Sequence, residues 1–176
     1  MRNVVLYIAM SLDGYIADNN GSVDWLTGHS TQETTIDSYS SFVPTVDTVV
    51  MGWNSYRQIT EELSPKEWPY PDLTSYVITH RKLPSTDHII FVQDDPCSVI
   101  KRLKAEAGKS IWVCGGSQII QPLVACDLID EYDISIIPTL LGSGIRLFGE
   151  NFGEIPLKLL RTQTSNGITE LVYGRR

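Results

Sequence analysis

The stretch from Ser110 to Phe148, SIWVCGGSQIIQPLVACDLIDEYDISIIPTLLGSGIRLF, constrains the fold of this chain more than any other. A short apolar run, Ile111-Trp112-Val113-Cys114, meets two glycines, Gly115 and Gly116, and then Ser117, a residue type favoured at helix N-caps. Gln118 and Ile119 follow, and Ile119, Ile120, Leu123 and Val124 recur at the spacing of one helical face. The order is strand, tight glycine turn, helix. A second apolar run, Tyr132 to Pro138, comes one short helix later, so the segment reads as a βαβ unit. Such a unit aims the free N–H groups and positive dipole end of its helix at whatever sits above the strand, and glycines let an anion reach that backbone. A plain tight connection in an α/β sheet would also use these glycines.

The rest of the chain repeats the theme. Val4 to Ala9 reads as a buried central strand leading into a turn or bulge at Asp13-Gly14 and a loop at Asp18-Asn19-Asn20-Gly21. Trp25 lies in a stretch too polar for a strand; it either anchors the loop or lines a ligand site. Thr31 to Val43 reads as a helix with Ile36, Tyr39, Phe42 and Val43 on one face and Asp37 within it. Asp37 is then either a solvated surface carboxylate or a group at a pocket mouth. Asp47 to Met51 is a second buried strand that meets Gly52, and Trp53-Asn54-Ser55-Tyr56-Arg57 opens a helix to about Leu63, with Asn54 or Ser55 as N-cap. Two glycine-led helix ends could face one diphosphate from opposite sides, which is more specific than either alone. Neither is a GxGxxG or Walker loop.

Ser64 to Pro71 is a proline-rich loop, and Ser75 to Thr79 a third strand ending at His80-Arg81-Lys82. Polar and basic residues at such a strand end stand where α/β sheets bind ligands. Ile89 to Val92 is a short strand, and a helix runs from Asp95-Pro96 through Val99 and Leu103 to Gly108. Gly142-Ser143-Gly144 reads as a flexible tip. Leu157 to Ser165 and Ile168 to Arg175 flank Asn166-Gly167, a strong hairpin signal. The expectation is one α/β domain over residues 1–176, with mostly parallel strands, crossover helices and an antiparallel C-terminal hairpin.

With 14 Lys+Arg against 21 Asp+Glu, the net charge of -7 argues against a nucleic-acid binder, and a phosphorylated ligand would need local cations. Val4 to Met10 is too short for a signal segment, and no apolar run reaches membrane-spanning length. Cys97, Cys114 and Cys126 lack CxxC spacing and read as reduced, mostly buried cytosolic thiols. His29, His80 and His88 lack metal-ligand spacing, so no metal site is expected. A cytoplasmic location follows as an expectation.

Four stretches together carry a resemblance: Met10-Ser11-Leu12-Asp13-Gly14-Tyr15-Ile16-Ala17, Val49-Val50-Met51-Gly52-Trp53-Asn54-Ser55-Tyr56, Val77-Ile78-Thr79-His80-Arg81, and Ile111 to Asp130 with its Gly-Gly and Leu-Ile-Asp. In their order and spacing the chain resembles the dihydrofolate-reductase-like superfamily, above all the reductase domain of bifunctional riboflavin-biosynthesis enzymes and its stand-alone relatives. The resemblance implies NADPH as hydride donor to a small heterocyclic, pyrimidine- or pterin-like, or carbonyl substrate. It implies Ala9 and Ile16 beside the nicotinamide, Gly52, Trp53, Asn54 and Ser55 with Gly115 to Ile119 on the diphosphate, and Thr79, His80 and Arg81 by the adenosine ribose and its 2′-phosphate. It also implies a cis Gly115–Gly116 bond and a substrate near Asp13, Trp25 and Asp37, with Asp37 or water giving the proton. Trp53 departs from the folate enzymes, which carry Arg directly after the matching glycine, so phosphate preference falls to Arg81, Arg57 or Lys82. A true dihydrofolate reductase and a non-catalytic dinucleotide-binding protein are the alternatives. A homodimer is expected, because both faces of the hairpin carry apolar groups: Leu157, Leu159 and Leu160 in one strand, Leu171, Val172 and Tyr173 in the other.

Overall fold

The computed structural model describes residues 1–27, 37–150 and 152–176. In chain order the elements are β1 (Val4–Ser11), β2 (Tyr15–Ala17), α1 (Ser38–Phe42), β3 (Val46–Gly52), α2 (Trp53–Gln58), β4 (Thr74–Ile78), β5 (Ile89–Val92), α3 (Pro96–Ala105), β6 (Ser110–Gly115), α4 (Ser117–Ala125), β7 (Glu131–Ile137), β8 (Ile145–Arg146), β9 (Leu157–Ser165) and β10 (Ile168–Arg175). Eight strands form one sheet in the order β5-β4-β3-β6-β1-β7-β10-β9, and β2 pairs with β8 in a small second sheet. The first six are parallel neighbours; β10 runs antiparallel to β7, and β9 to β10. Because β6 returns between β3 and β1, the chain winds outward from the sheet centre in both directions. A crevice forms at such a switch point, above the C-terminal strand ends.

The central strands β1, β3 and β6 are mostly apolar because both sheet faces are covered. Along β1, Val4 and Leu6 pack with Val50, Val113, Ile120 and Leu123 under α3 and α4. Val5 points the other way, to Phe42, Val49, Met51 and Trp112 on the side of α1 and α2. On that second face Tyr7 stacks on Phe42 with ring centroids 4.2 Å apart, and Trp112 meets Phe42 edge-on at 5.6 Å. The hairpin closes at Asn166 and Gly167, both at positive φ (51° and 74°), as a two-residue primed turn requires.

Several local expectations are corrected. The helix expected over Thr31 to Val43 is described only as α1, with residues 31–36 outside the described part; Asp37 is its N-cap rather than an interior residue. Asn54, Ser55 and Ser117 do not cap their helices: Gly52 and Gly116 take the N-cap positions, with no side-chain capping bond. Without side-chain caps, both helix starts leave first-turn N–H groups to a ligand, although Ile119 N of α4 donates to Gly116 O (3.0 Å). Beyond Gln58, α2 continues into one π-helical turn, Ile59–Leu63. The α3 helix ends at Ala105, short of Gly108. The 142–144 segment is not a free tip. The Asp13 carboxylate accepts from Leu141 N (3.1 Å) and Gly142 N (2.7 Å), and Asn19 donates to Ser143 Oγ (2.7 Å). A Cβ on Gly144 would lie 2.2 Å from the Ala17 carbonyl oxygen, so only glycine allows this approach to β2.

Candidate active site

Above the C-terminal ends of β1, β3, β4 and β6 lies a cleft of about 1360 Å³. β1 contributes Ala9 and β2 contributes Ile16. Gly52, Trp53, Asn54 and Ser55 come from the β3–α2 junction, and Thr79, His80 and Arg81 follow β4. Gly115, Gly116, Ser117, Gln118 and Ile119 come from the β6–α4 junction. All fourteen residues expected to contact a dinucleotide line this one cleft.

The two glycine turns are neighbours. A Cβ on Gly52 would stand 3.1 Å from Ile119 Cγ1 and 3.9 Å from Gly116 N. The Ser55 hydroxyl lies 3.6 Å from the position of a Cβ on Gly116, the nearest atom there. Gly116 has φ −82°, open to any residue, so neither backbone conformation nor crowding within the protein demands glycine. What its missing side chain leaves open is the cleft, beside the N-terminus of α4, and that space suits a diphosphate. The Gly115–Gly116 bond is cis.

One rim is cationic and aromatic. The Arg81 guanidinium sits over the Trp53 ring, 4.8 Å from its centroid. Thr79 is buried; its N–H donates to Val92 O (2.9 Å) and its hydroxyl accepts from Arg81 N (3.2 Å), which fixes the turn that carries Arg81. Asp94 and Asp95 border the same rim, with Asp94 paired to Arg102 at 3.0 Å and Asp95 capping α3. An anion bound here meets mixed charge, so its hold depends on individual cations rather than on the overall field.

The cleft floor holds two residues that the sequence pattern did not single out, Tyr70 and Cys114. Tyr70 leaves the 64–71 loop and meets Trp112 edge-on at 5.1 Å. Burial pushes the Tyr70 phenol well up, and it pushes the Cys114 thiol up to about 11, with a Tyr70 hydrogen bond opposing the shift. Both groups are therefore neutral near pH 7. An aromatic in a proline-rich loop has no periodicity, so no pattern could have flagged Tyr70.

The three residues expected at the substrate lie outside the cleft lining. Asp13 is occupied by the 141–142 amides and by the Ser11 hydroxyl (2.6 Å), and these bonds, the Ser11 hydroxyl foremost, hold its carboxyl down to about 2. Trp25 donates from Nε1 to Ser22 O (3.2 Å) and braces its own loop, while its neighbours Val23 and Leu26 reach the cleft. Asp37 is exposed; it caps α1 by accepting from Ser40 N (2.9 Å) and the Ser40 hydroxyl, which lowers its pKa. His29 lies outside the described residues. Among the described residues, no group of three or more His, Cys, Asp or Glu could hold a metal ion, and no helix is long and apolar enough to cross a membrane.

A family model for the RibD C-terminal domain matches residues 2–169. The chain belongs to that family. The uncharacterized protein YwjB of Bacillus subtilis (strain 168) is 40% identical over 175 residues, covering 99% of this chain and 98% of YwjB. The crystal structure of a putative riboflavin biosynthesis protein from Shewanella sp. PV-4 superposes with a TM-score of 0.84 at 31% identity, covering 100% of this chain and 99% of that one. Schistosoma mansoni dihydrofolate reductase shares the fold, with a TM-score of 0.66 at 16% identity over 99% of each chain. The mixed α/β architecture, with its mostly parallel sheet and antiparallel C-terminal hairpin, is thus dihydrofolate-reductase-like, and membership of the RibD C-terminal family makes the chain a reductase-type domain.

Proposed function

We propose that the protein is an NADPH-dependent reductase of a small pyrimidine- or pterin-like heterocycle or a carbonyl compound, similar to the 5-amino-6-(5-phosphoribosylamino)uracil reductases of riboflavin biosynthesis. One observation carries the reading: Gly52 and Gly116, each starting a helix, adjoin across a single cleft whose rim bears Arg81. When bound, NADPH supplies the hydride. The residues of this chain bind and orient. The amides at the starts of α2 and α4 would hold the diphosphate, and Ser55 would add a hydroxyl donor beside Gly116. Ala9 and Ile16 would wall the nicotinamide on its apolar sides. Arg81, braced on Trp53, would meet the 2′-phosphate, which a guanidinium suits by geometry.

The substrate ring would lie against Ala9, toward Tyr70 and Cys114, which exclude water without adding charge. Asp37 is engaged as a helix cap and ionised near neutrality, so water is the proton source in this reading. That also disfavours dihydrofolate, whose reductases use a carboxylate on the first helix. A cytoplasmic location accords with a soluble cofactor and substrate.

The test is NADPH oxidation measured against dihydrofolate, the riboflavin pyrimidine intermediate and simple carbonyls. Turnover of one of them supports the reading; tight NADPH binding with no oxidation by any would leave a dinucleotide-binding protein. Gly116→Val should abolish NADPH binding with the fold intact, because the added methyls enter the cleft rather than the core. Retained micromolar binding in that variant would sink the site assignment.

A further inference from the structure

On the far side of α4 from its first turn, two thiols meet. Cys97 is the second residue of α3, and Cys126 is the C-cap of α4. They are 29 positions apart in sequence, and their sulfurs are 2.8 Å apart. A disulfide bond is about 2.0 Å long, so less than 1 Å of sulfur movement separates the pair from a bond. Both backbones are held at helix ends. Asp95 caps α3 by accepting from Ser98 N (3.0 Å), and Cys126 N donates to Pro122 O (2.9 Å). The Cys97 thiol also lies 3.5 Å from Pro122 O. The third cysteine, Cys114, sits apart at the end of β6 against Tyr70, and all three are free thiols.

We infer that Cys97 and Cys126 are a redox-responsive dithiol that closes to a reversible disulfide, locking the N-terminus of α3 to the C-terminus of α4. The geometry divides the roles. Cys126 is exposed, so a dissolved oxidant reaches its sulfur first, and it accepts the hydrogen bond that the Cys97 thiol donates. Cys97 is half-buried; burial, foremost, and the hydrogen bond to Cys126 push its pKa up to about 12, with Asp95 raising it further and Lys101 opposing. Cys126 is therefore the attacking group and Cys97 the resolving one.

The oxidant is a small-molecule disulfide of the glutathione type. The Cys126 thiolate attacks one of its sulfurs, the small disulfide bond breaks, and one thiolate leaves, taking up the proton Cys126 gave to solvent. Cys97 then loses its proton to water and attacks Cys126 Sγ, expelling the second small thiolate, which is protonated in turn. Two protein thiols are oxidised, and one small disulfide is reduced to two thiols. The bridge would lie next to Pro96 and Asp95 on the cleft rim, tying that rim to the helix whose other end begins at Gly116. The inference does not rest on the proposed reductase activity.

Equilibration of the full chain in reduced/oxidised glutathione buffers, acid quenching and thiol counting after denaturation test this. The wild type should fall from three free thiols to one, with a single non-reduced peptide linking residues 97 and 126, and dithiothreitol should restore all three. Oxidation should also raise Tm, because the cross-link restricts the unfolded chain. Cys97→Ser should stop at a persistent glutathione adduct on Cys126, and Cys126→Ser should keep two thiols. Three thiols retained in the wild type across the buffer range, a persistent Cys126 adduct in the wild type as in Cys97→Ser, or a link to Cys114 would each overturn the inference. The wild-type peptide map decides the matter even where a serine variant fails to fold.

Discussion

Arg81 and Asp13 show how position decides what a charged residue does. Arg81 rides over Trp53 on the cleft rim, with no Arg after Gly52 to share a 2′-phosphate. A charge-assisted hydrogen bond there is worth about 1.5–3 kcal/mol. Arg81→Ala should therefore weaken NADPH binding by about ten- to a hundredfold and leave NADH nearly unchanged. Equal losses for both cofactors, measured by titration, would show that Arg81 does not read the phosphate. Asp13 instead spends its carboxylate on Ser11 and two amides of the 141–142 segment, which holds β2 and so Ile16 at the cleft. Its folded pKa of about 2 lies below the ordinary aspartate value of 3.8, so its contribution is present above pH of about 4 and is lost as pH falls toward 2. Asp13→Ala should speed amide exchange at Leu141 and Gly142 and remove that acid-limb loss. Unchanged exchange at both amides would mean that the loop is held by other bonds.

At the scale of elements, the strands were legible because a doubly covered parallel sheet writes itself as short apolar runs, each stopped by glycine or a turn. Val46–Gly52, Ile89–Val92 and the Asn166-Gly167 hairpin read directly for that reason. The cleft residues were legible too, since strand ends and glycine-led helix starts are local signals. The capping positions were not, because glycine took the place of residues with better caps. Tyr70 and the Cys97–Cys126 contact were invisible as well: both arise from packing between distant segments. A further such contact lies on β7, β9 and β10. Arg161 stands 2.8 Å from Glu170 and 3.6 Å from Asp133, and both carboxylates are buried. Burial, then the Glu170 charge, pushes the Asp133 carboxyl up to about 7, against the pull of Arg161. Here the sign is opposite to that of Asp13. The folded state holds a proton that the unfolded chain has released, so stability falls as pH rises from about 4 to about 7. Asp133→Asn should remove that slope and stabilise the protein at pH 8 by about 1–2 kcal/mol, once solvent around the half-exposed Arg161 is allowed for. At pH 5 the two proteins should melt nearly together. An asparagine variant that is less stable at pH 8 would mean that Arg161 outweighs burial and Glu170.

For the whole molecule, what remains to be accounted for is the last edge of the sheet. β9 is a terminal strand, and its free backbone edge is long. Leu159 and Leu160 are 54% and 50% exposed; Leu160 is the extra residue of a bulge between Leu159, opposite Tyr173, and Arg161, opposite Val172, and the missing side chain of Gly174 lets it lie across β10. On the sheet face that carries Leu157, Leu171 and Tyr173, an apolar depression of about 350 Å³ extends to Phe148 and Phe152. The 64–71 loop does not cover it: its Trp68 and Tyr70 are committed to the opposite face, beside Tyr56 and Trp112. A monomer would thus leave an unpaired strand and leucines in water, which soluble proteins usually avoid. We propose a two-fold dimer through the hairpin, burying on the order of 1,200 Å² or more in total, the range in which such interfaces are stable. Light scattering at micromolar concentration should give about 39 kDa, twice the 19.7 kDa of one chain. Leu159→Arg with Leu160→Glu should return it to one chain's mass without loss of helix or sheet signal, because both side chains already face solvent in the protomer. A wild-type mass of 19.7 kDa would refute the dimer. A dimer that survived both substitutions would move the interface off β9.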